Sequence, residues 1–281
     1  MIEFQTFLSC WANQTDLATA IDHADEWGYH GVEGPPPENS IFAKDLADEL
    51  ADRDLPYIAE VATGGDYVPA PGLNVTQHLG ELERHLAERV AHFRPIAVNV
   101  LGGSDRWSFA ESVDFFGRGL QLGEQFGHQI WWETHRSRPT FSPWATRELL
   151  LELPEMQLTC DFSHWCAVCE RLVLDEEPEL LTLCAEHCGH LHARVGYEQG
   201  PQVPDPRDPL YSNQLNAHLR WWKCLLSAAE ERGLNTLTAT PEFGPDGYLH
   251  LSPHDHLPAA NLPELNCWMA KKLTGITKMN G

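Results

Sequence analysis

The sequence has few basic residues and no long apolar run, and each shortage excludes a class of protein. Its 281 residues contain 19 Lys and Arg against 41 Asp and Glu, which gives a formal net charge of −22. Such a surface repels nucleic acids and anionic lipid, so we expect neither nucleic acid nor membrane as a partner. No apolar run approaches the ~18 residues of a membrane span. The first predicted strand follows Met1 without the basic and apolar stretches of a signal peptide, so we expect a cytoplasmic protein.

The chain also lacks the cysteine spacing of a zinc knuckle or a disulfide framework. Eight cysteines are scattered through predicted helices and strands, and only Cys166 and Cys169 form a C-x-x-C pair. A chain of this length does not need disulfides to support its core. We therefore interpret the cysteines as reduced thiols that are mostly buried as small hydrophobic residues.

Short apolar runs alternate with amphipathic segments along the whole chain. They predict eight strands, each followed by a helical segment, at residues 4–10, 30–33, 56–61, 95–101, 129–133, 157–161, 189–194 and 235–242. Runs this short, bounded by polar breakers, are typical of buried parallel strands. No composition shift marks a linker, and the first strand is not followed by the Gly-rich fingerprint of a doubly wound sheet. The pattern predicts a single (β/α)8 TIM barrel over residues 1–281.

Four of the predicted strands end in an acid or a histidine: Glu133, Asp161, His192 and Glu242. Buried Asp, Glu and His are costly unless they are paired or bound to a cation. The carboxyl ends of all strands meet at one face of a TIM barrel, so these side chains should converge there. Three carboxylates and one imidazole favour one divalent cation, with Mn²⁺ preferred and Mg²⁺, Co²⁺ or Zn²⁺ as alternatives.

Such a cation would have positions left for two oxygens of a substrate, which points to a small carbohydrate. A sugar with adjacent carbonyl and hydroxyl groups supplies the two oxygens, and the cation would acidify the neighbouring C–H. A carboxylate could then remove that proton and form an enediolate. Glu133 and Glu242 are the expected bases, because their strands lie on opposite sides of the barrel mouth. Return of a proton to the opposite face of the same carbon gives epimerisation, and return to the neighbouring carbon gives aldose–ketose isomerisation.

Two polar residues near these strand ends are predicted to contact the substrate. His164 lies one helical turn beyond Asp161, and Arg194 lies two residues beyond His192 and should face inward. A guanidinium suits a developing oxyanion, a carboxylate or a phosphate. His190 is expected to point away from the pocket.

Three further residues are candidates for substrate contact. His135 closes the segment that contains Glu133, and Trp11 at the exit of the first strand could stack on a sugar face. Arg207, in the loop over residues 200–207, is expected to act as a clamp. No Gly-rich phosphate cradle is present, and the sequence leaves both free and phosphorylated sugars open.

At these strand ends the sequence resembles the xylose-isomerase-like TIM-barrel superfamily, which includes sugar phosphate isomerases and epimerases and the AP endonucleases of the endonuclease IV group. The motifs that carry the resemblance are the Glu133 strand end, Asp161-Phe-Ser-His164, His190-Leu-His192 and Pro241-Glu242-Phe-Gly244. In members of the ketose 3-epimerase type, the corresponding Glu, Asp, His and Glu bind one Mn²⁺ or Co²⁺, and the two Glu exchange the proton. The resemblance implies these roles for Glu133, Asp161, His192 and Glu242, and a substrate contact for His164.

The endonuclease IV type needs further histidines that this sequence lacks. The exits of the third and fourth strands read Ala62-Thr-Gly-Gly65 and Leu101-Gly-Gly103, and Arg207 stands where another zinc-binding histidine would be. Besides an isomerase or epimerase, three alternatives remain: a keto-inositol dehydratase-like lyase, a phosphodiester hydrolase, and a barrel that binds a sugar without converting it. A homodimer and a homotetramer are both compatible with the sequence.

Overall fold

Eight parallel strands close into a barrel in the computed structural model of the chain, which describes residues 2–276. Each strand pairs with the next one in sequence, and the last pairs with the first. This arrangement confirms the predicted TIM barrel. The strands are β1 (Glu3–Ser9), β2 (Gly31–Gly34), β3 (Tyr57–Ala62), β4 (Ala97–Leu101), β5 (Ile130–Glu133), β6 (Gln157–Cys160), β7 (Cys188–His192) and β8 (Thr236–Thr240).

Helices connect the strands and pack against the outer surface of the barrel. They are α1 (Leu17–Trp27), α2 (Ser40–Asp52), α3 (Val75–Arg84), α4 (Phe109–Phe126), α5 (Pro143–Glu152), α6 (Ser163–Cys169), α7 (Pro178–Glu186), α8 (Ser212–Glu231) and α9 (Leu262–Ile276). Local sequence fixes several of their ends. Asn74 and Gln77 form a capping box at the start of α3, and Gly127 adopts the left-handed conformation that ends α4.

Two strands end two residues earlier than the sequence predicts. β7 stops at His192 and β8 at Thr240, whereas the apolar pattern places their ends at residues 194 and 242. Pro241 has no backbone N–H to donate to a neighbouring strand, which accounts for the end of β8. Arg194 and Glu242 therefore lie in the first residues of the loops that form the barrel mouth.

Apolar residues at helical spacing predict one helix over residues 74–92, but this segment is not a single α-helix. It changes to a π turn at His85–Arg89 and then to a 3-10 turn at Val90–His92. A π turn contains one extra residue and so rotates the following side chains around the helix axis. Leu86 and Val90 are both fully buried in this irregular part.

The side chains that face into the barrel form an apolar layer and a polar layer along its axis. Phe7, Ile58, Ala97 and Trp131 form a small apolar cluster near the amino-terminal ends of the strands. Towards the carboxyl-terminal ends the buried interior side chains are polar, and they include Glu33, Asn99, Glu133, Asp161, His190 and His192. TIM barrels carry their active sites at this end, so the layer of buried polar residues marks the expected position of a site.

The described part of the chain contains no helix long and apolar enough to cross a membrane. All eight cysteines carry free thiols, as predicted, and Cys166 of the C-x-x-C pair is completely buried. Burial raises the pKa of the Cys166 thiol well above its usual value, so this cysteine is poorly suited to redox exchange.

Candidate metal centre

Glu133, Asp161, His192 and Glu242 converge at the carboxyl-terminal mouth of the barrel. Each offers one ligand atom, and the four atoms lie within 4.8 Å of one another. His192 Nδ1 lies 3.1 Å from a carboxylate oxygen of Glu242 and 3.8 Å from one of Glu133. Glu133 and His192 are the last residues of β5 and β7, and Asp161 directly follows β6. The barrel thus brings together four side chains that are far apart in sequence.

The donor atoms of this group fit a divalent cation. His192 Nδ1 and Glu242 Oε2 are buried and have no hydrogen-bond partner among the described residues. Burial raises the pKa of Glu133 and of Asp161 above their ordinary values. Burial opposes protonation of His192, but the surrounding carboxylates outweigh it and raise the pKa of His192 well above its usual value. A cation among these oxygens would relieve the repulsion between the carboxylates and replace the imidazole proton.

Glu33 holds the other ring nitrogen of His192. Glu33 Oε1 lies 3.0 Å from His192 Nε2, and Glu33 Oε2 lies 3.2 Å from His190 Nε2. Burial would raise the pKa of Glu33, but the two imidazoles hold it well below its usual value, so Glu33 is ionised and can only accept hydrogen bonds. His192 Nε2 must therefore carry the proton, which leaves Nδ1 as the atom that faces Glu133 and Glu242.

His190 lies on the same face of β7 as His192, so the prediction that it points away is wrong. Residues two apart on a strand share a face, so His190 and His192 lie on the same face of β7. Arg194 continues this alternation just beyond the end of the strand. The His190 ring stacks on Trp131 with the two ring centroids 5.6 Å apart. His190 Nδ1 lies 2.8 Å from Thr238 Oγ1. His190 occupies the layer below His192 and supports Glu33 from there.

Arg194 and His164 form a polar group on the other side of Asp161. Arg194 Nη2 is hydrogen-bonded to Asp161, lies 2.9 Å from His164 Nε2 and lies 3.4 Å from Glu242 Oε2. Arg194 Nε also donates to Ser163 Oγ at 3.2 Å. Burial lowers the pKa of His164 well below its usual value, so its imidazole is neutral and can accept from Arg194. Two of the three nitrogens of the Arg194 guanidinium, Nε and Nη2, are therefore engaged by protein groups.

His135 and Trp11 lie at the same mouth, whereas Arg207 does not. The rings of His135 and His164 have centroids 4.1 Å apart, and Trp11 packs edge-to-face against Tyr248 at 5.5 Å. Arg207 is exposed, and its guanidinium makes two hydrogen bonds to the carboxylate of Asp205, at 2.9 and 2.7 Å. The structure does not bring Arg207 to the site, because this nearby carboxylate captures the side chain.

A cavity of about 460 Å³ opens above the four converging side chains. Its lining includes the aromatic residues Trp11, Tyr67 and Tyr248 and the carboxylates Glu60, Asp66, Glu133, Glu242 and Asp246. Gly244 packs so closely under Trp11 that a Cβ at this position would overlap the indole ring. The absence of a side chain at residue 244 thus allows Trp11 to form part of the wall.

Sequence reasoning missed Glu33 and Glu60 as parts of this site. Both lie within predicted strands, where an acid in an otherwise apolar run is unfavourable without a partner. That signal was present in the segments Gly31-Val-Glu33 and Pro56-Tyr-Ile-Ala-Glu60. Two other possible metal-binding triads overlap the main group: Glu33, His190 and His192, and Glu133, His135 and His164.

No protein-family model and no curated protein matches the sequence. Several solved structures are similar to this chain over nearly its whole length. A probable 3-DHS dehydratase, AsbF of Bacillus anthracis, is 14% identical, with 97% of this chain and 99% of that one covered and a TM-score of 0.62. The 3-keto-D-glucoside 4-epimerase YcjR of E. coli is 13% identical, with 96% and 99% covered and a TM-score of 0.60.

The third is a xylose isomerase-like TIM barrel protein of Mycobacterium smegmatis in complex with magnesium. It is 12% identical, with 98% of this chain and 99% of that one covered and a TM-score of 0.61. Identities this low establish the fold and leave the chemistry to be argued from the site. The chain has the fold of the xylose-isomerase-like TIM barrels, as its strand-end motifs predict.

Proposed function

We propose that the protein is a divalent-cation-dependent isomerase or epimerase that acts on a sugar through an enediolate. One observation carries the proposal: Glu133 at the end of β5 and Glu242 in the loop just after β8 offer carboxylate oxygens to the same point beside His192 and Asp161. Two carboxylates that approach one point from different strands can reach opposite faces of a substrate held between them. That arrangement suits removal of a proton on one side and its return on the other.

The residues of the site would have the following roles around a bound cation. A bound divalent cation would polarise the substrate carbonyl and stabilise the negative charge of the enediolate. Glu133 or Glu242 removes the proton from the carbon beside the carbonyl, and the opposite glutamate returns a proton. His164 and Arg194 flank Asp161 and hold its carboxylate in place, while the His135 ring and the Trp11 indole close the sides of the cavity.

Solvent-deuterium exchange tests the roles of the two glutamates. Glu133→Gln and Glu242→Gln keep the shape of each side chain but remove the base, so each should lower exchange at the carbon beside the carbonyl by about 10²- to 10⁴-fold. The exchange is measured by mass spectrometry in D₂O with saturating Mn²⁺ and a panel of ketoses and aldoses. Glu155→Gln, which changes an exposed glutamate outside the cavity, is the control and should behave as the unmodified protein.

The same assay separates the rival functions. Full exchange in either glutamine variant would contradict the role of that glutamate as a base. Loss of water from a substrate without any isomer would identify a lyase instead. Binding without exchange in the unmodified protein, across the whole panel, would identify a barrel that holds a sugar without converting it.

A further inference from the structure

The wall of the cavity is rich in acidic residues. Five carboxyl groups line it, and apart from the imidazole of His135 the only basic group among the lining residues is that of Arg194. Arg194 is 2% exposed and is already paired with Asp161 and Glu242. Burial raises the pKa of Glu60 well above its usual value and favours its neutral form. The other four lining carboxylates carry one more negative charge than Arg194 and a divalent cation together carry positive ones. A phosphate or carboxylate group on a ligand would meet net repulsion throughout this cavity.

Two glycine amides are already occupied in the loops that usually bind phosphate in TIM barrels. Such sites are commonly formed by the loops after the seventh and eighth strands. Here the Gly196 amide donates to His218 Nε2 at 3.2 Å, and the Gly244 amide donates to Gln202 Oε1 at 2.8 Å. These two glycine amides therefore cannot form an anion cradle without breaking buried hydrogen bonds.

One amide of each glycine pair after β3 and β4 is occupied in the same way. The Gly64 amide donates to the carboxylate of Glu81, and the Gly103 amide donates to Thr63 Oγ1 at 3.2 Å. Arg138 lies beneath these loops, and its guanidinium donates to four backbone carbonyls. Arg136 lies 5.1 Å above the Tyr248 ring but does not line the cavity.

Glu60 lines the cavity and projects from a strand. The proposed function gives no role to this carboxyl group. It points inward from β3, which lies across the barrel from β7 and His192. It makes no hydrogen bond or ion pair with any residue in the described part of the chain. A half-buried carboxyl group that faces a cavity without a protein partner is suited to a hydroxyl group of a ligand.

We propose that the substrate is an uncharged sugar or cyclic polyol, without phosphate or carboxylate, and that Glu60 is a substrate-binding residue that hydrogen-bonds one of its hydroxyl groups. This inference rests on the proposed function, because the cation group would hold the reactive end of the same molecule. An apolar C–H face of the sugar would pack on the indole of Trp11, which is held edge-to-face against Tyr248 in the cavity wall. Glu60 would then select for a hydroxyl group at a defined position.

Paired ligands test the charge preference without any need for turnover. Titration calorimetry on the Mn²⁺-loaded protein would compare D-fructose, D-ribulose and myo-inositol with fructose 6-phosphate, ribulose 5-phosphate and inositol 1-phosphate. We expect at least one uncharged member to bind about tenfold or more tightly than its phosphate ester, because the ester adds unpaired negative charge. Equal or tighter binding of the esters, or no binding by any uncharged member, would overturn the inference.

Variants of residue 60 test the assigned contact. Glu60→Ala should weaken binding of the uncharged ligand by about tenfold through loss of a hydrogen bond in a half-buried place, and Glu60→Gln should recover part of the loss. Mn²⁺ affinity should stay unchanged in both variants, and Glu155→Gln is the control. Unchanged sugar affinity in Glu60→Ala would refute the role of Glu60. Deuterium exchange is measured separately, so a protein that binds uncharged sugars without exchange would fail the proposed function and still satisfy this inference.

Discussion

Single residues at the barrel mouth divide into those that sequence could reveal and those that it could not. Glu133, Asp161, His192 and Glu242 were recognisable because each ends an apolar run, and four such ends are hard to explain by packing. Glu33 lies in an equally short run, but an isolated acid is usually solvated or paired on the surface. Its importance depends on contacts with His190 and His192, which are more than 150 positions away in the chain and become neighbours only when the barrel closes.

Glu33→Gln should weaken Mn²⁺ binding and shift the pH dependence of that binding to lower pH. The amide can no longer fix the proton on His192 Nε2, so we expect affinity near neutral pH to fall by about 10- to 100-fold. The carboxylate of Glu33 is also one of the groups that raise the pKa of His192. Without it that pKa should fall, so protons should begin to compete with Mn²⁺ only at a lower pH than in the unmodified protein.

Calorimetric Mn²⁺ titrations across the acidic and neutral range would measure both effects. A general loss of structure would weaken binding without moving the pH at which the apparent affinity begins to fall. Unchanged affinity together with an unchanged pH profile would show that Glu33 does not position His192. Glu155→Gln again provides a surface control of the same chemistry.

At the scale of the elements, the order and type of the strands followed from sequence, whereas their ends and the loops did not. The apolar runs placed all eight strands, but β8 ends at Thr240 because proline follows. The π turn at His85–Arg89 has no glycine or proline to mark it, so helical periodicity alone predicted one continuous helix. The loops after β3 and β5 supply much of the cavity wall, and their path depends on Arg138 rather than on any local pattern.

Arg138→Met should destabilise the protein substantially, because Arg138 joins these two loops. Its guanidinium is fully buried and donates to the carbonyls of Thr63, Asp66, Tyr67 and Gly103. Removing the donors leaves several buried acceptors without partners, at a cost of about 3 kcal/mol or more in the free energy of unfolding. Arg138→Lys should recover less than half, since an ammonium group cannot span the four acceptors.

Equilibrium unfolding in urea would measure these changes. Arg147→Met is the matched control, because Arg147 is exposed and pairs only with Glu148 in a surface ion pair. That substitution should change the free energy of unfolding by less than about 0.5 kcal/mol. Equal stability of Arg138→Met and Arg147→Met would contradict the role assigned to Arg138.

For the whole molecule, closure of the barrel is the step that turns dispersed strand ends into one site. The alternation of eight apolar runs with amphipathic segments was sufficient to predict this closure. The charge of the cavity was harder to foresee, because Asp66 and Asp246 lie in loops whose course the sequence did not indicate. The net charge of −22 predicts that polyanionic partners are disfavoured, but only the folded chain placed part of that charge around the proposed substrate.

The central claim is that Glu133, Asp161, His192 and Glu242 hold one common cation. The most direct test is anomalous diffraction at the manganese absorption edge from crystals soaked in Mn²⁺. We expect one strong peak per chain, within about 2–2.5 Å of His192 Nδ1 and of an oxygen from each carboxylate. A peak at the Glu33–His190 pair or between His135 and His164, or no peak at the barrel mouth, would contradict the account.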